Sequence, residues 1–144
     1  MSTQIRECKI DDFNYIYELN QVEMGYDYSI EETKRKLHKL LVSKADKIYV
    51  AIVENKVVGY VHTNDYDVIY APHMKNIMGI AVSADYKRRG IGHSLLEEVE
   101  KWAIHTGAKG VRLVSGETRT GAHEFYRNCG YSEDKMQINF KKFF

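Results

Sequence analysis

Proline is nearly missing from this chain: Pro72 is the single one among 144 residues. Repeats, low-complexity tracts and linker-like stretches are missing too. The chain therefore reads as one domain, residues 1–144, long enough to bury a proper core. Cysteine is scarce. Cys8 and Cys129 are the only two and form no CxxC, which suggests no disulfide framework and fits a reducing cytoplasm. No apolar run approaches the roughly 18 residues of a membrane span, and residues 1–9 lack the apolar core of a signal peptide. Net charge is close to zero, at +1, so bulk electrostatics favours neither nucleic acid nor membrane as a partner. The six histidines are scattered, with no HxH, HExxH or His/Cys cluster, and no metal site is expected.

What the chain does contain is concentrated in Tyr86-Lys87-Arg88-Arg89-Gly90-Ile91-Gly92-His93-Ser94-Leu95-Leu96. An apolar run, residues 77–82, precedes it and an amphipathic pattern, residues 95–103, follows. That is strand, basic glycine-rich turn, helix. Two glycines two apart let the backbone pass close to a ligand, since neither carries a Cβ. The first turn of a helix presents unpaired backbone N–H groups and the positive end of the helix dipole. Lys87, Arg88 and Arg89 add full charges beside them, and the combination reads as a cradle for a pyrophosphate. The Rossmann fingerprint is excluded because its third glycine position is Leu95, and the P-loop because no GKS or GKT follows.

The string resembles the [Arg/Gln]-x-x-Gly-x-[Gly/Ala] turn of the GNAT N-acetyltransferase superfamily, with Lys87 at the position of Arg or Gln. Lysine keeps the charge there and loses the planar bidentate fork. A second stretch, Gly121-Ala122-His123-Glu124-Phe125-Tyr126-Arg127-Asn128-Cys129-Gly130-Tyr131, is similar to the family's Asn-x-x-Ala-x-x-Phe-Tyr-x-x-x-Gly-[Phe/Tyr] signature. Ala122, Phe125, Tyr126, Gly130 and Tyr131 fall in register, and Arg119 stands where the signature has Asn.

Taken in order, the pattern predicts a strand over residues 5–10, then a helix that Asp11 caps and that ends near residues 21–25. Ser29-Ile30-Glu31-Glu32 is a capping-box pattern opening a second helix. Its residues Lys34, Arg35, Lys36 and Lys39 read as a solvated, ion-paired face. Residues 48–53 and 57–62 read as two strands around a short turn. Residues 63–73 are polar and aromatic and fit either the end of a bent strand or a loop. Met74–Val82 is apolar without alternation, hence a strand buried on both faces, and Gly79 within it marks a bulge or a close backbone approach. Ile91, Leu95, Leu96, Val99, Trp102 and Ala103 form one helical stripe that stops at Gly107. A short strand over residues 110–115, a short helix ended by Gly130, and a last strand over residues 131–144 complete the chain. Met136, Ile138 and Phe140 alternate in that last strand. The fold class is α/β, a mixed sheet flanked by helices in the order β-α-α-β-β-β-α-β-α-β, and that order resembles the GNAT fold.

The resemblance implies an acyltransferase that moves the acetyl group of acetyl-CoA directly to a primary amine. It implies cofactor contacts from the backbone of Ile80, Ala81 and Val82, from the turn Lys87, Arg88, Arg89, Gly90, Ile91, Gly92, His93 and Ser94, and from Arg119, Ala122 and Phe125. It also implies Tyr126 as the donor to the departing sulfur. A lysine-like amine has a pKa near 10.4, so about one molecule in 2,500 is neutral at pH 7. The site must supply a base, a water path or desolvation. Residues 75–82 contain no acid, which leaves Asp65, His62, His73 and Glu23 as candidates for a base, with no choice among them. Glu18, Glu23, Asp27, Asp65 and Asp67, interleaved with Tyr26, Tyr28, Tyr66 and Tyr70, suit a cationic acceptor through charge and cation–π contact. A small cationic amine and a peptide amine both qualify, and a coenzyme A-binding regulatory module without turnover is the alternative reading. Phe140, Phe143 and Phe144 offer an apolar surface for a homodimer.

Overall fold

A computed structural model describes residues 2–144. They fall into two compact units, divided after Leu113.

The first unit is built on a five-stranded sheet in the sequential order β1-β2-β3-β4-β5. Its strands are β1 (Gln4–Glu7), β2 (Asp46–Val53), β3 (Lys56–Tyr66), β4 (Met74–Val82) and β5 (Val111–Leu113). All neighbours are antiparallel except β4 and β5, which run parallel. A two-residue turn joins β2 to β3, and Glu54 and Asn55 both take positive φ there (51° and 64°). That is the hairpin turn whose twist matches the strands.

One face of the sheet carries helices α1 (Phe13–Met24) and α2 (Ile30–Leu41). Ile16, Leu19 and Leu37 from these helices pack with Ile48, Val50, Tyr60 and Ala81 from the strands. Helix α3 (Ile91–His105) supplies Ile91, Leu95, Leu96, Val99 and Ala103, all buried. Its termination at Gly107, φ 85°, follows the sequence expectation. Helix α2 begins as its capping pattern requires, with Glu32 N–H donating to Ser29 Oγ at 3.1 Å. Along α2, Arg35 pairs with Glu32, and Lys34 lies over the Phe13 ring at 4.8 Å.

Helix α1 differs from expectation at its start. Asp12, not Asp11, does the structural work: buried, it takes both Arg6 nitrogens (2.8 and 3.0 Å) and the Lys9 N–H (2.8 Å). Burial pushes its carboxyl up, but the Arg6 and Lys9 hydrogen bonds outweigh that and hold it below the usual range.

Gly59 is the glycine that close packing demands. A Cβ there would lie 3.0 Å from the Ala81 carbonyl oxygen and 3.5 Å from Ile91. The β3–β4 register slips between His62 and Thr63, where His62 faces Gly79 and Thr63 faces Ile77, so Met78 is the extra residue. This is the irregularity that Gly79 signalled.

The second unit holds α4 (Thr120–Asn128), closed by Gly130 at φ 92°. The strand expected over residues 131–144 does not form. Alternation of Met136, Ile138 and Phe140 is only half of what a strand needs. The other half is a ladder to accept its N–H and C=O groups, and here these three side chains are 76–86% exposed.

Candidate functional site

Two features of the first unit meet at the C-terminal end of β4. The first is an edge. β4 pairs with β5 only over Lys75–Ile77, so among the described residues its remaining length, including Ile80, Ala81 and Val82, pairs with β3 alone. Ala81 is buried, and Ile80 and Val82 are half-buried. The second is the turn. Ser83 N–H donates to Val58 O (2.8 Å), a single 3-10 turn spans Ala84–Tyr86, and Tyr86 N–H returns to Ser83 O (2.9 Å). Arg88 then takes φ 65° and Gly90 φ 76°. A left-handed conformation is routine for glycine and costs other residues roughly 1–2 kcal/mol. Arg88 accepts that cost in the middle of the basic run.

Helix α3 starts immediately after Gly90 with no side chain capping it. Its first intrahelical amide bond comes from Ser94 N–H to Gly90 O at 3.0 Å. The Ile91 and Gly92 amides therefore lie in the first turn, whose N–H groups have no carbonyl within the helix. Ile91 is 2% exposed and anchors the turn from beneath. Lys87, Arg88, Arg89 and Gly90 are exposed and Gly92 and Ser94 half-buried. His93 is paired along the helix with Glu97 at 3.2 Å. Arg89 lies over the Tyr86 ring at 5.1 Å.

Sequence reasoning missed what holds this turn. Glu23, on the last turn of α1, accepts the Ala84 N–H through Oε2 at 3.0 Å, and its Oε1 is 4.0 Å from Lys87 Nζ. Met24, the next residue, comes within 3.9 Å of where a Gly79 Cβ would be. No local pattern could have signalled it, because the partners are 61 residues apart in sequence.

The four candidate bases fare differently. Asp65 faces Lys75 across the strands (2.5 Å) and also binds His73 (3.2 Å). Lys75 is buried and lies over the Trp102 ring at 4.0 Å, so this cluster belongs to the α3 side of the sheet. Burial raises Asp65, yet Lys75 and His73 together hold it below the usual carboxylate range. Asp65 and His73 are thus spent on each other and on Lys75, and Glu23 is spent on the turn. His62 remains on the α1–α2 side, with Nε2 2.8 Å from Asp46 Oδ1. It lines a cavity of about 180 Å³ with Ile16, Asn20, Tyr28, Lys36 and Tyr60. Tyr60 donates to Asn20, and burial pushes its phenol up to about 12.

The expected acidic and aromatic acceptor surface is divided as well. Tyr66 sits under the Arg112 guanidinium (4.1 Å), and Tyr26, Tyr28 and Tyr70 are exposed.

In the second unit, Tyr126 is buried while Ala122 and Phe125 are half-buried and Arg119 is exposed. Tyr126 packs against Phe125 and Tyr131, with centroids at 5.3 and 6.2 Å. Burial raises its phenol above the ordinary value, against a smaller pull from Arg119. It is a protonated donor at neutral pH. Among the described residues, no three His, Cys, Asp or Glu side chains gather as metal ligands would, and no helix is long and apolar enough to cross a membrane.

Comparison with known proteins agrees with this architecture. An uncharacterised N-acetyltransferase of Methanocaldococcus jannaschii is 30% identical over 139 residues, covering 92% of this chain and 62% of the relative. Streptothricin acetyltransferase of Escherichia coli is 29% identical over 84 residues, covering 58% of this chain and 46% of that protein. The chain thus spans less than two thirds of the length of both. Among solved structures, an aminoglycoside acetyltransferase from an uncultured soil metagenomic sample, in complex with trehalose, superposes with a TM-score of 0.85. That match has 22% identity and covers 99% of this chain and 96% of the other. The aminoglycoside acetyltransferase AAC(6')-Iy, in complex with a bisubstrate analogue, gives 0.88 at 14% identity over 99% of each chain. The profile of the acetyltransferase (GNAT) family matches residues 13–131. It takes in the basic turn, the bulged strand beside it and the helix of Tyr126, and the chain belongs to that family.

Proposed function

We propose that this chain is an acetyl-CoA-dependent N-acetyltransferase, acting as one domain over residues 1–144 on a primary amine. One observation carries the reading. A strand edge that no other strand pairs with among the described residues, beside Ile80 to Val82, runs straight into a left-handed basic turn and an uncapped helix start. An extended pantetheine arm can add to a strand edge as a peptide does. A diphosphate suits the helix start and Lys87, Arg88 and Arg89. His93 and Ser94 complete the first turn of that helix. Arg119, Ala122 and Phe125 are the further cofactor contacts that the second signature implies. Tyr126 is the donor to the departing sulfur. Full transfer from a phenol to a thiolate is uphill by roughly 2 kcal/mol from the reference pKa values, so it acts chiefly through its hydrogen bond.

The acceptor we propose is a small cationic amine, with amino sugars first because similar solved structures are named aminoglycoside acetyltransferases. Two free cysteines suit a reducing cytoplasm. The exposed Phe140, Phe143 and Phe144 are the surface for a homodimer, and a monomeric mass in solution would refute that part.

Calorimetric titration with acetyl-CoA tests the core of the reading, with saturable binding expected. Free-thiol release is then followed across an amino sugar, a polyamine and a lysine peptide. Absence of binding at millimolar acetyl-CoA refutes the enzyme. Binding without thiol release for any amine favours the regulatory module instead.

A further inference from the structure

We infer that His62 is the general base that removes the acceptor's proton, held in its working tautomer by Asp46. This rests on the reading of the chain as an acetyltransferase and adds to it the missing catalytic group.

The argument begins with the tautomer. A carboxylate has no proton to give, so the 2.8 Å contact between Asp46 Oδ1 and His62 Nε2 is a donation from the imidazole. The ring hydrogen is on Nε2, and Nδ1 keeps its lone pair. Asp46 is fixed in turn, because Ser43 Oγ donates to its other oxygen at 2.7 Å. Both partners are mostly sheltered, with side chains 19% and 13% exposed. A nitrogen base, oriented by a carboxylate that is itself hydrogen-bonded, is the arrangement that acid–base catalysis uses repeatedly.

The position fits the task. His62 pairs across the sheet with Gly79, at the bulge of β4, just where the β4–β5 pairing has ended. Gly79 carries no side chain, and the nearest atoms above it, Met24 Cε and the Tyr60 hydroxyl, would be 3.9 Å from a Cβ there. Met24 and Tyr60 therefore cover Gly79 at ordinary contact distance, and the room beside the imidazole is the cavity. His62 lines that cavity under α1 and α2, with Asn20, Tyr28, Lys36 and Tyr60 as polar neighbours. The charged and titratable groups facing it are Asp46 from β2, Lys36 from α2, Tyr60 from β3 and Tyr28 before α2. Among the cavity-lining residues α1 contributes only the neutral Asn20 and Ile16, and Gly79 of β4 is neutral too.

The step balances as follows. The bound ammonium gives one proton to His62 Nδ1 and becomes a neutral amine. The amine nitrogen then forms a bond to the thioester carbonyl carbon, and the carbon–sulfur bond breaks with its electron pair leaving on sulfur. The second nitrogen proton is lost as the amide forms and one proton ends on the thiol. His62 returns its proton to solvent, so the net products are amide, free thiol and one proton.

The test is the pH profile of kcat/KM for an alkylamine acceptor, in the wild type and in His62→Gln. The wild-type profile should rise with pH and then level off once the His62 ring has lost its proton. His62→Gln should be slower at pH 7 by about a hundredfold or more, yet climb with unit slope towards the amine's own pKa and converge on the wild type there. Acetyl-CoA binding by calorimetry should be unchanged in the variant. Asp46→Asn should give a smaller loss, with the inflection displaced to lower pH. NMR titration of the His62 ring in the wild-type protein should share the kinetic inflection, and it decides the matter even if the variants fold poorly. A levelling-off retained in His62→Gln, or a ring titration that disagrees with the kinetics, overturns the assignment. A wild type that fails to bind acetyl-CoA refutes the enzyme reading instead.

Discussion

Replacing Asp65 by alanine should cost stability and leave catalysis alone. Lys75 is 3% exposed, its Nζ is 2.5 Å from Asp65 Oδ1, and its other neighbour is the Trp102 ring at 4.0 Å. Removing one partner of a buried ion pair strands the other, at about 3–5 kcal/mol. Asp65 is itself 36% exposed, so water takes over part of its role, and the Trp102 face continues to stabilise the ammonium. The lower end, about 3 kcal/mol, is therefore expected. For a chain of this size that is a fall in Tm of about 6–12 °C. Lys75→Met removes the buried charge instead of stranding it and should cost about 1 kcal/mol or less. The double variant should recover most of what Asp65→Ala loses. Urea unfolding of the four proteins, followed by circular dichroism, closes the double-mutant cycle. A loss under 1 kcal/mol for Asp65→Ala, or a larger loss for Lys75→Met, refutes the reasoning. So does a fall in kcat for folded Asp65→Ala, because Asp65 faces α3 and not the cavity of His62.

Gly90→Ala meets no atom within 4 Å, so its unfolding cost should be the left-handed penalty alone, roughly 1–2 kcal/mol. The loss of acetyl-CoA affinity by calorimetry should exceed tenfold, and unchanged affinity would move the diphosphate elsewhere. Tyr126→Phe should lower kcat with little change in acetyl-CoA affinity, read by steady-state kinetics beside direct binding. Unchanged turnover removes Tyr126 from the chemistry. Asp12 and Asp65 both have folded-state carboxyls held below their ordinary values. Their contribution to stability is full above the unfolded carboxylate range, near pH 4, and is lost as pH falls through the depressed values. The urea midpoint should therefore drop below about pH 4, and Asp12→Asn should flatten that drop.

Much of this architecture is legible from local pattern. Met74–Val82 is a strand over the expected residues, but burial on both faces does not follow: Lys75, Ile77 and Ala81 are buried while Met78 is exposed. The capping serine at 29 and the stopping glycines at 107 and 130 work for reasons internal to a few residues. What stayed open or went wrong mostly needed a distant partner. Residues 63–66 extend β3, although their two faces are polar, because Asn64 meets Asn76 on one side and Asp65 meets Lys75 on the other. The alternation after Tyr131 promised a strand that has no ladder to join. Four candidate bases looked equivalent in one dimension. Only the sheet's two faces separate Asp65 and His73, which serve Lys75, from His62, which serves an open cavity.

Helix α1 carries three duties within five consecutive residues. Asn20 faces the cavity, Glu23 grips Ala84, and Met24 covers Gly79. A helix turn moves as a rod, since its side chains share one hydrogen-bonded spine. Redesigning the cavity for a bulkier amine by displacing this turn would therefore drag the basic loop with it. On the proposed reading of cavity and loop, an altered acceptor range has to come from side-chain exchange at fixed backbone, or at the expense of cofactor affinity.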